Sequence, residues 1–349
     1  MKDYKIVNIS SKTLSLFKRC FDKNGSPKEE EKVKWQFLES PINERYVDIA
    51  LDKKNNQVAA IYAIFPIAFI LDSKIVTASQ SLDTMTDKDY RGKGLFVNLA
   101  KDVYDKASQN NIQFVYGFPN GNSIHGFIRK LNWINLDPVP FLIKPLKTKY
   151  FTKRISFLSW LPNINLSKVK NKLVIKDISI IENNLFPNEV NKIWYEFSKS
   201  FKVALNRDKE YLDWRYLKKP LENYRIIHAY TKENEYLGFV VFAIKEKHGG
   251  KIGYVMELIY NPSSKKVGEV LLSYAVNEMK KSQCDCVLSW CFDHSPNYNA
   301  FKKSKFYKIP EKLKPIELHF GVRFFNSETS EIINNRENWY LSYSDSDTV

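Results

Sequence analysis

The chain contains an internal repeat, which strongly limits the folds that it can adopt. The form Trp-x-aromatic-Leu-x-x-Pro occurs at residues 35–41 and again at residues 214–220. In both copies a polar turn and an apolar strand follow at matching distances, and the two strands start at Val58 and Leu237. The period has the size of a domain and is far longer than a solenoid repeat. The sequence therefore predicts a duplicated module.

The chain length and the order of elements place the two modules. A length of 349 residues suits two domains. Each copy predicts an amphipathic helix, several strands, a second helix and a further strand. Because strands on either side of a crossover helix pair in parallel, we expect an α/β fold class with a mixed sheet. The expected boundaries are a first domain at 1–147, a linker at 148–172, a second domain at 173–325 and a tail at 326–349.

The apolar segments favour core strands over a membrane span. The longest apolar stretch, residues 58–71, is shorter than the roughly 20 residues that a spanning helix needs. With Pro66 inside it, we interpret this stretch as two core strands separated by a bend. The N-terminus has no signal-peptide pattern, and the four cysteines fit buried free thiols in a reducing compartment. We therefore expect a cytoplasmic protein without a membrane span.

The net charge of +15 permits acidic partners without identifying one. Basic runs such as the one around Lys147 and Lys149 could attract acidic glycans, anionic lipid or an anionic cofactor. Lys greatly outnumbers Arg, and a Lys-rich proteome would give the same excess, so nucleic acid is not the favoured partner. The histidines show no metal-ligand spacing, so we expect no metal.

The most informative segment is a glycine-rich basic loop between a predicted strand, 77–86, and a predicted helix that starts near Gly94. Glycine has no Cβ to keep a phosphate away from the backbone. The free N–H groups of the first helical turn and the positive end of the helix dipole both favour an anion. The loop therefore predicts an anion-binding site. The alternative is an ordinary tight turn that happens to contain the same glycines and basic residues. Its residues are Tyr90, Arg91, Gly92, Lys93, Gly94 and Leu95.

This loop resembles the Arg/Gln-x-x-Gly-x-Gly/Ala motif of the GNAT family of acyl-CoA N-acyltransferases. The later segment, residues 117–133, is similar to the part of that family that follows the splayed strand. The resemblance implies two GNAT-like folds in tandem. It also implies that residues 90–95 wrap the pyrophosphate of acetyl-CoA and that Asn122 is a further cofactor contact. An Asn at a helix start is also a common cap.

The resemblance implies three catalytic residues. Asp83 lies on the strand before the loop, where the family often places its general base; the alternative is that it only caps or salt-bridges the end of the sheet. The family's proton-donating Tyr is replaced here by Ile128. Ser123 or His125 could protonate the leaving thiolate instead, and His125 could equally be a loop histidine without a role.

The second copy departs from the loop pattern. Residues 262–268 contain one glycine, and Val267 stands in place of Lys93. A β-branched side chain in the loop should hinder the approach of a phosphate, so we expect this copy not to bind the cofactor well and to shape the acceptor side. Glu257, at the position of Asp83, is then a relic, a structural carboxylate or an acceptor contact.

The function that these features favour is acetyl transfer from acetyl-CoA to a primary amine, directly within a ternary complex. The resemblance to the family implies that the acceptor is an amino sugar or another small amine. One alternative is a Fem-type transferase that takes its acyl group from charged tRNA. Another is a non-catalytic ligand-binding protein with the same tandem fold.

Overall fold

The structure is a computed structural model that describes residues 1–152, 160–166, 168–169, 177–247, 249–311, 314–346 and 348. Residues 153–159, 167 and 170–172 of the expected linker lie outside the described residues. The chain forms two compact units, and each is assembled from separate stretches of sequence. The first comprises Met1–Pro138, Lys218–Leu221 and Glu317–Trp339; the second comprises Val139–Leu217, Glu222–Ile316 and Tyr340–Val349.

The N-terminal part of the first unit alternates short helices with long strands. Its elements are β1 (Tyr4–Asn8), α1 (Leu14–Lys23), α2 (Glu30–Leu38), β2 (Tyr46–Asp52), β3 (Val58–Leu71), β4 (Lys74–Thr86), α3 (Leu95–Gln109), β5 (Phe114–Gly117), α4 (Gly121–Leu131) and β6 (Ile134–Asn135).

The second unit repeats this order of elements. They are β7 (Phe141–Pro145), α5 (Lys149–Thr152), β8 (Ile178–Glu182), α6 (Val190–Ser198), β9 (Val203–Leu205), α7 (Lys209–Leu212), β10 (Tyr224–Thr231), β11 (Tyr236–Lys247), β12 (Gly250–Tyr260), α8 (Lys265–Lys281), β13 (Cys286–Trp290), α9 (Tyr298–Lys303) and β14 (Tyr307–Lys308). The later elements β15 (Gly321–Phe324) and α10 (Ser330–Asn334) return to the first unit.

Each unit contains one mixed sheet, as the sequence predicted. The strand order is β1-β2-β3-β4-β5-β15-β6 in the first unit and β14-β7-β13-β12-β11-β10-β8 in the second. The strands flanking each long crossover helix are parallel, β4 with β5 and β12 with β13. Apolar residues at four-residue spacing on α3, namely Leu95, Leu99 and Val103, are buried against the sheet of the first unit. The predicted α/β fold class is therefore confirmed.

The compact units are not continuous in sequence. β7 pairs with β13 and β14 in the sheet of the second unit. β15 pairs with β5 and β6 in the sheet of the first unit. The expected boundaries at 147 and 325 would instead place β7 in the first domain and β15 in the second. Because a strand's place in a sheet depends on backbone hydrogen bonds to distant residues, the repeat alone does not reveal this exchange.

The apolar stretch 58–71 is one strand, so the expected division into two strands is wrong. β3 pairs with β4 over nearly its whole length, and Pro66 lies opposite Ser79. Pairing between β2 and β3 ends at Ile64. Pro66 therefore lies beyond β2, where its missing N–H removes no bond to that strand.

All four cysteines are buried and free, as the sequence predicted. Within the described residues, no helix combines the length and the apolar character that crossing a bilayer requires. The same part of the chain contains no group of three His, Cys, Asp or Glu side chains arranged to bind a metal ion.

Gly268 allows α8 to pack closely on the second sheet. A Cβ atom at this position would lie 2.4 Å from Cε1 of Tyr260 and 2.9 Å from Cβ of Ala300. The Tyr260 ring is itself buried and packs edge-on against Phe197. The glycine of the second copy is therefore a packing residue.

We predict that Gly268→Ala lowers the free energy of unfolding by about 1–3 kcal/mol, because the added methyl group overpacks the contact with Tyr260. In an uncrowded helix the same change should stabilise by up to about 1 kcal/mol. Ser273→Ala, on the exposed face of α8, is the matched control. Urea denaturation of both variants checks this; Gly268→Ala at least as stable as wild type would contradict the packing role.

Candidate functional site

The loop between β4 and α3 has a backbone that requires glycine. A single 3-10 turn, Lys88–Tyr90, leads into it. Gly92 has a φ of 78° and Gly94, the residue that caps α3, has a φ of 71°. This left-handed region is readily adopted only by glycine. Residues 91–94 are all exposed, so the loop lies open at the surface of the unit.

The start of α3 presents backbone donors at this loop. Asn98 donates its N–H to the carbonyl oxygen of Gly94 at 3.1 Å, so the N–H groups of residues 95–97 precede the first bond of the helix. A Cβ atom at Gly92 would meet nothing within 4 Å. The left-handed glycines therefore leave open space in front of amides that favour an anion. The side chains of Arg91 and Lys93 add positive charge to the same exposed loop.

Buried polar contacts fix the turn that leads into the loop. The carboxylate of Asp87 is buried and accepts hydrogen bonds from the Asp89 N–H at 2.9 Å and from Asn24 at 3.3 Å. It also pairs with Lys23 at 2.8 Å. Burial alone would raise the pKa of Asp87, but these three partners lower it below its ordinary value. The turn is thus held in one geometry by an ionised carboxylate.

Tyr90 supports the loop through its side chain. Its ring is buried, and its hydroxyl donates to Asp52 at 2.9 Å. The ammonium group of Lys93 lies 4.6 Å from the centre of the same ring. The side chain of Tyr90 is therefore engaged within the protein, and a cofactor could reach only its backbone. That Tyr90 contacts a cofactor stays a prediction.

β4 and β5 separate next to the loop. Residues 79–81 of β4 pair with residues 115–117 of β5, and β4 then continues to Thr86 after β5 has ended at Gly117. Gly117 permits the close approach, since a Cβ atom there would lie 2.9 Å from the carbonyl oxygen of Ser81. Residues 83–86 are all partly exposed although their strand lies in the middle of the sheet. β4 beyond Ser81 thus has no pairing with β5, and we call this unpaired stretch directly before the loop the gap.

A β-bulge marks the place where the gap opens. Tyr62 of β3 faces two residues of β4, Asp83 and Thr84. Asp83 has a φ of 49°, a conformation that Asp and Asn tolerate better than most residues. The Thr84 hydroxyl is buried and has no hydrogen-bond partner within the described part of the chain. Bulges of this kind commonly redirect side chains at active sites.

The carboxylate of Asp83 forms an ion pair with Lys28, which lies between α1 and α2. The side chain of Asp83 is 7% exposed and that of Lys28 is 32% exposed. A neighbouring ammonium favours the ionised carboxylate, so it weakens Asp83 as a proton acceptor for as long as the pair persists. Sequence analysis did not identify Lys28, because no motif links it to a strand 55 residues later.

The predicted residues after β5 lie at the N-terminus of α4. Asn120 caps this helix and accepts the N–H groups of Asn122 and Ser123, both at 3.1 Å. The Ser123 hydroxyl donates back to Asn120 at 3.1 Å, while Asn122 and His125 are exposed. Ser123 therefore takes part in the cap.

Packing between the two helices places the middle of α4 against the start of α3. Phe96, in the first turn of α3, packs edge-on against Phe127 with ring centres 5.3 Å apart. A Cβ atom at Gly126 would lie 3.3 Å from the Phe96 ring. The helix that carries Asn122, Ser123 and His125 is thus packed on the helix that follows the loop.

The corresponding loop of the second unit has a different structure. α8 begins at Lys265, so Val267 and Gly268 lie inside the helix. Val267 is 2% exposed and belongs to the core, so our expected reason, a β-branched side chain in the loop, is wrong. Residues 261–268 contain no glycine with a positive φ. The second copy therefore lacks the left-handed backbone that opens the first loop.

Glu257 is a structural carboxylate in the second unit. It lies at a β-bulge on β12 opposite Val241, the equivalent of the bulge at Asp83. It accepts hydrogen bonds from Arg207 at 2.7 Å and from Ser342 at 2.6 Å, and Ser344 also donates to it. Arg207 is fully buried and also pairs with Asp345 at 2.6 Å. The acid at the second bulge thus belongs to a closed internal network.

The C-terminal segment lies against the ends of β12 and β13. The Tyr343 ring packs 5.2 Å from Tyr254 on β12 and 5.0 Å from Trp290 on β13. Pairing between these strands ends at Tyr254 and Leu288. The position that corresponds to the open gap of the first unit is therefore filled by the chain itself.

Burial raises the pKa of Asp345 to about 6; Arg207 opposes this shift and Glu257 adds to it. Since the folded-state pKa lies above the ordinary 3.8, the native state binds the proton more tightly than the unfolded state. The contribution of Asp345 to stability is therefore greatest below about pH 4 and falls as the pH rises through about 6.

We predict that the stability of wild type relative to Asp345→Asn falls by about 1–3 kcal/mol between pH 4 and pH 7. Chemical denaturation across this range measures the difference, and Asp177→Asn, at an exposed side chain, controls for the loss of charge. If the stability of wild type relative to Asp345→Asn rises with pH, the folded protein stabilises Asp345 as a carboxylate, which would contradict this account.

Comparison with known proteins bears on the first unit most directly. The family model of the acetyltransferase (GNAT) domain matches residues 10–134, which contain β4, the glycine loop, α3 and α4. No curated protein matches the chain significantly.

Solved structures resemble nearly the whole chain. A GCN5-related N-acetyltransferase from Anabaena variabilis has a TM-score of 0.65 at 14% identity, covering 94% of this chain and 74% of that one. Saccharomyces cerevisiae N-myristoyltransferase with bound myristoyl-CoA has a TM-score of 0.60 at 13% identity, covering 93% and 83%. A probable N-acyltransferase from Enterococcus faecalis has a TM-score of 0.59 at 10% identity, covering 94% and 74%. Residues 10–134 therefore match the GNAT acetyltransferase domain, and the fold of nearly the whole chain resembles those of N-acyltransferases.

Proposed function

We propose that the first unit transfers an acetyl group from acetyl-CoA to a primary amine, an amino sugar or another small amine, in a ternary complex. The observation that carries this proposal is the exposed left-handed loop at Gly92 and Gly94, next to the gap between β4 and β5. A loop of amides and an adjoining gap suit a ligand with a pyrophosphate and a long, narrow arm. The corresponding position in the second unit does not suit such a ligand, because the Tyr343 ring packs there against Tyr254 and Trp290.

The loop residues would bind the pyrophosphate. The N–H groups of residues 92–97 donate to its oxygens, and Arg91 and Lys93 supply the opposite charge. Tyr90 keeps the turn in place through Asp52, and Leu95 is buried and fixes the first turn of α3 to the core. Asn122, exposed at the start of α4, is our proposed cofactor contact on the other helix.

The bulge would hold the reacting groups. Backbone N–H groups of β4 beyond Ser81 are not used by β5 and can polarise the thioester carbonyl. The amine nitrogen forms the new C–N bond, the C–S bond breaks, and the amine proton passes to Asp83. In this mechanism the acceptor's ammonium takes the place of the Lys28 ammonium beside Asp83 and first releases one proton to solvent, so that the neutral amine attacks. Displacement of Lys28 removes a charge that opposes proton transfer to the carboxylate.

The leaving thiolate needs little help, because a thiol has a pKa of about 8–9. Ser123 and His125, at the start of α4, are our candidates for returning a proton to it. Ser123 already donates to Asn120, so its proton would have to leave the helix cap, whereas His125 is exposed and uncommitted to the cap.

Acyl-CoA binding should depend on Gly92 and not on a comparable glycine elsewhere. We predict that saturating acetyl-CoA raises the melting temperature of wild type, because ligand binding to the native state adds about 2.7 kcal/mol at a hundredfold excess over Kd. Gly92→Ala should abolish most of this shift, because alanine is strained at the positive φ of Gly92. Thermal-shift assays with acetyl-CoA, longer acyl-CoAs and free CoA measure this effect and rank the acyl chains.

Gly249→Ala is the matched control for this experiment. Gly249 has a φ of 71° and equally open surroundings, so its substitution introduces the same backbone strain in the second unit. An acetyl-CoA shift that survives in Gly92→Ala, or that disappears in Gly249→Ala, would contradict the assignment of the loop. Stabilisation by charged tRNA without any response to CoA would favour the Fem-type alternative.

The two bulge carboxylates should differ in their roles. We predict that Asp83→Asn, which suits the positive φ, lowers kcat for amine acetylation about 10²- to 10⁴-fold while the acetyl-CoA thermal shift is retained. Glu257→Gln should lower stability and leave kcat of the folded enzyme near wild type. Release of the CoA thiol over a panel of amines measures both. Turnover unaffected by Asp83→Asn would remove Asp83 as the base.

A further inference from the structure

The positive charge of the chain is concentrated in one segment. Between Asp137 and Asp177 the sequence contains nine Lys and Arg residues and no Asp or Glu, which accounts for more than half of the net charge of +15. A block of this kind produces a local positive potential that attracts anionic surfaces. The candidate acyl-CoA site of the first unit does not use any of these residues.

Residues 160–166 and 168–169 of this segment carry exposed apolar side chains. Trp160 is 77% exposed, Ile164 54%, Leu166 52% and Val169 40%. Exposed apolar residues that lie close together on an otherwise charged surface commonly mark an interaction site. Trp in particular favours the boundary between lipid and water.

Backbone hydrogen bonds attach these side chains to the second unit. The Leu166 N–H donates to the Leu146 carbonyl at 2.8 Å, and the Thr148 N–H donates to the Ile164 carbonyl at 3.0 Å. The hydroxyl of Thr148 donates to the Pro162 carbonyl at 2.9 Å. The apolar side chains are therefore presented on an ordered strip of chain.

Lysines border a cavity beneath this strip. The cavity has a volume of about 220 Å³. Its lining includes the apolar side chains of Leu146, Val169 and Cys284 and the cationic side chains of Lys147, Lys168 and Lys280. Asp285 lies 3.8 Å from Lys147. Nearby, burial and then the charges of Lys280 and Lys305 lower the pKa of Lys144 to about 8, as expected for a lysine that is buried and has like charges close to it.

We propose that this face of the second unit, formed by Trp160, Ile164, Leu166, Val169, Lys168 and Lys280, docks on an anionic phospholipid surface. The apolar side chains enter the interfacial region of the bilayer and the lysines contact lipid phosphates, which is the combination of two weak signals that gives stable peripheral binding. Aliphatic side chains beside the lysines favour lipid over nucleic acid, whose backbone offers them no apolar partner.

Vesicle co-sedimentation of the full chain tests this proposal. Wild type should bind vesicles of mixed phosphatidylglycerol and phosphatidylcholine, bind pure phosphatidylcholine at least about tenfold more weakly, and lose most binding between about 0.1 M and about 1 M salt. The variants Lys168→Glu/Lys280→Glu and Ile164→Ser/Leu166→Ser should each weaken binding about tenfold or more. Trp160→Ala should remove a vesicle-induced blue shift of the Trp fluorescence.

Lys12→Glu/Lys192→Glu makes the same change in net charge at exposed positions elsewhere and should bind vesicles like wild type. The melting temperature and far-UV circular dichroism of each variant report whether it remains folded. Equal binding of all variants, equal binding to both kinds of vesicle, or binding to oligonucleotides but not to vesicles would overturn the proposal. So would a wild-type dimer that the apolar variants turn into a monomer without any vesicle binding.

Discussion

The candidate site depends on two left-handed glycines at the start of one helix. Gly92 and Gly94 turn the chain so that α3 begins with its free N–H groups at an open surface. The buried carboxylate of Asp87 and the ring of Tyr90 then fix the turn from behind. Because both glycines have positive φ values, other residues would strain the backbone at this point. The loop is thus prepared for an anion before any ligand arrives, and less ordering entropy has to be lost on binding.

The two copies retain the same bulge and use it differently. In the first unit the bulge carries Asp83, paired with a partly exposed lysine beside the unpaired end of β4. In the second unit it carries Glu257, enclosed with Arg207 and the C-terminal segment. Removal of a partner from the buried network would leave an uncompensated charge, which costs several kcal/mol. The two copies therefore keep an acid at the same bulge in different surroundings.

Local features of both copies could be predicted from the sequence, whereas their long-range contacts could not. The repeat, the crossover helices and the glycine loop follow from periodicity and residue type within short windows. The exchange of β7 and β15, the continuity of β3 through Pro66 and the pair between Lys28 and Asp83 depend on partners far away in the chain. Val267 illustrates the limit well: the sequence places it in a loop, but α8 starts earlier and buries it. A one-turn shift of a helix start changes which side chains face a ligand.

The central claim is that amides of the first unit's loop, and not those of the second unit, bind the pyrophosphate of CoA. The most direct measurement is a titration of the protein, labelled with ¹⁵N at its 12 glycines, with free CoA, followed by the amide resonances. The account predicts that the resonances of Gly92 and Gly94 move and saturate at one CoA per chain, while those of Gly249 and Gly268 stay in place. Movement of Gly268, or no movement of Gly92 and Gly94 at saturating CoA, would contradict it.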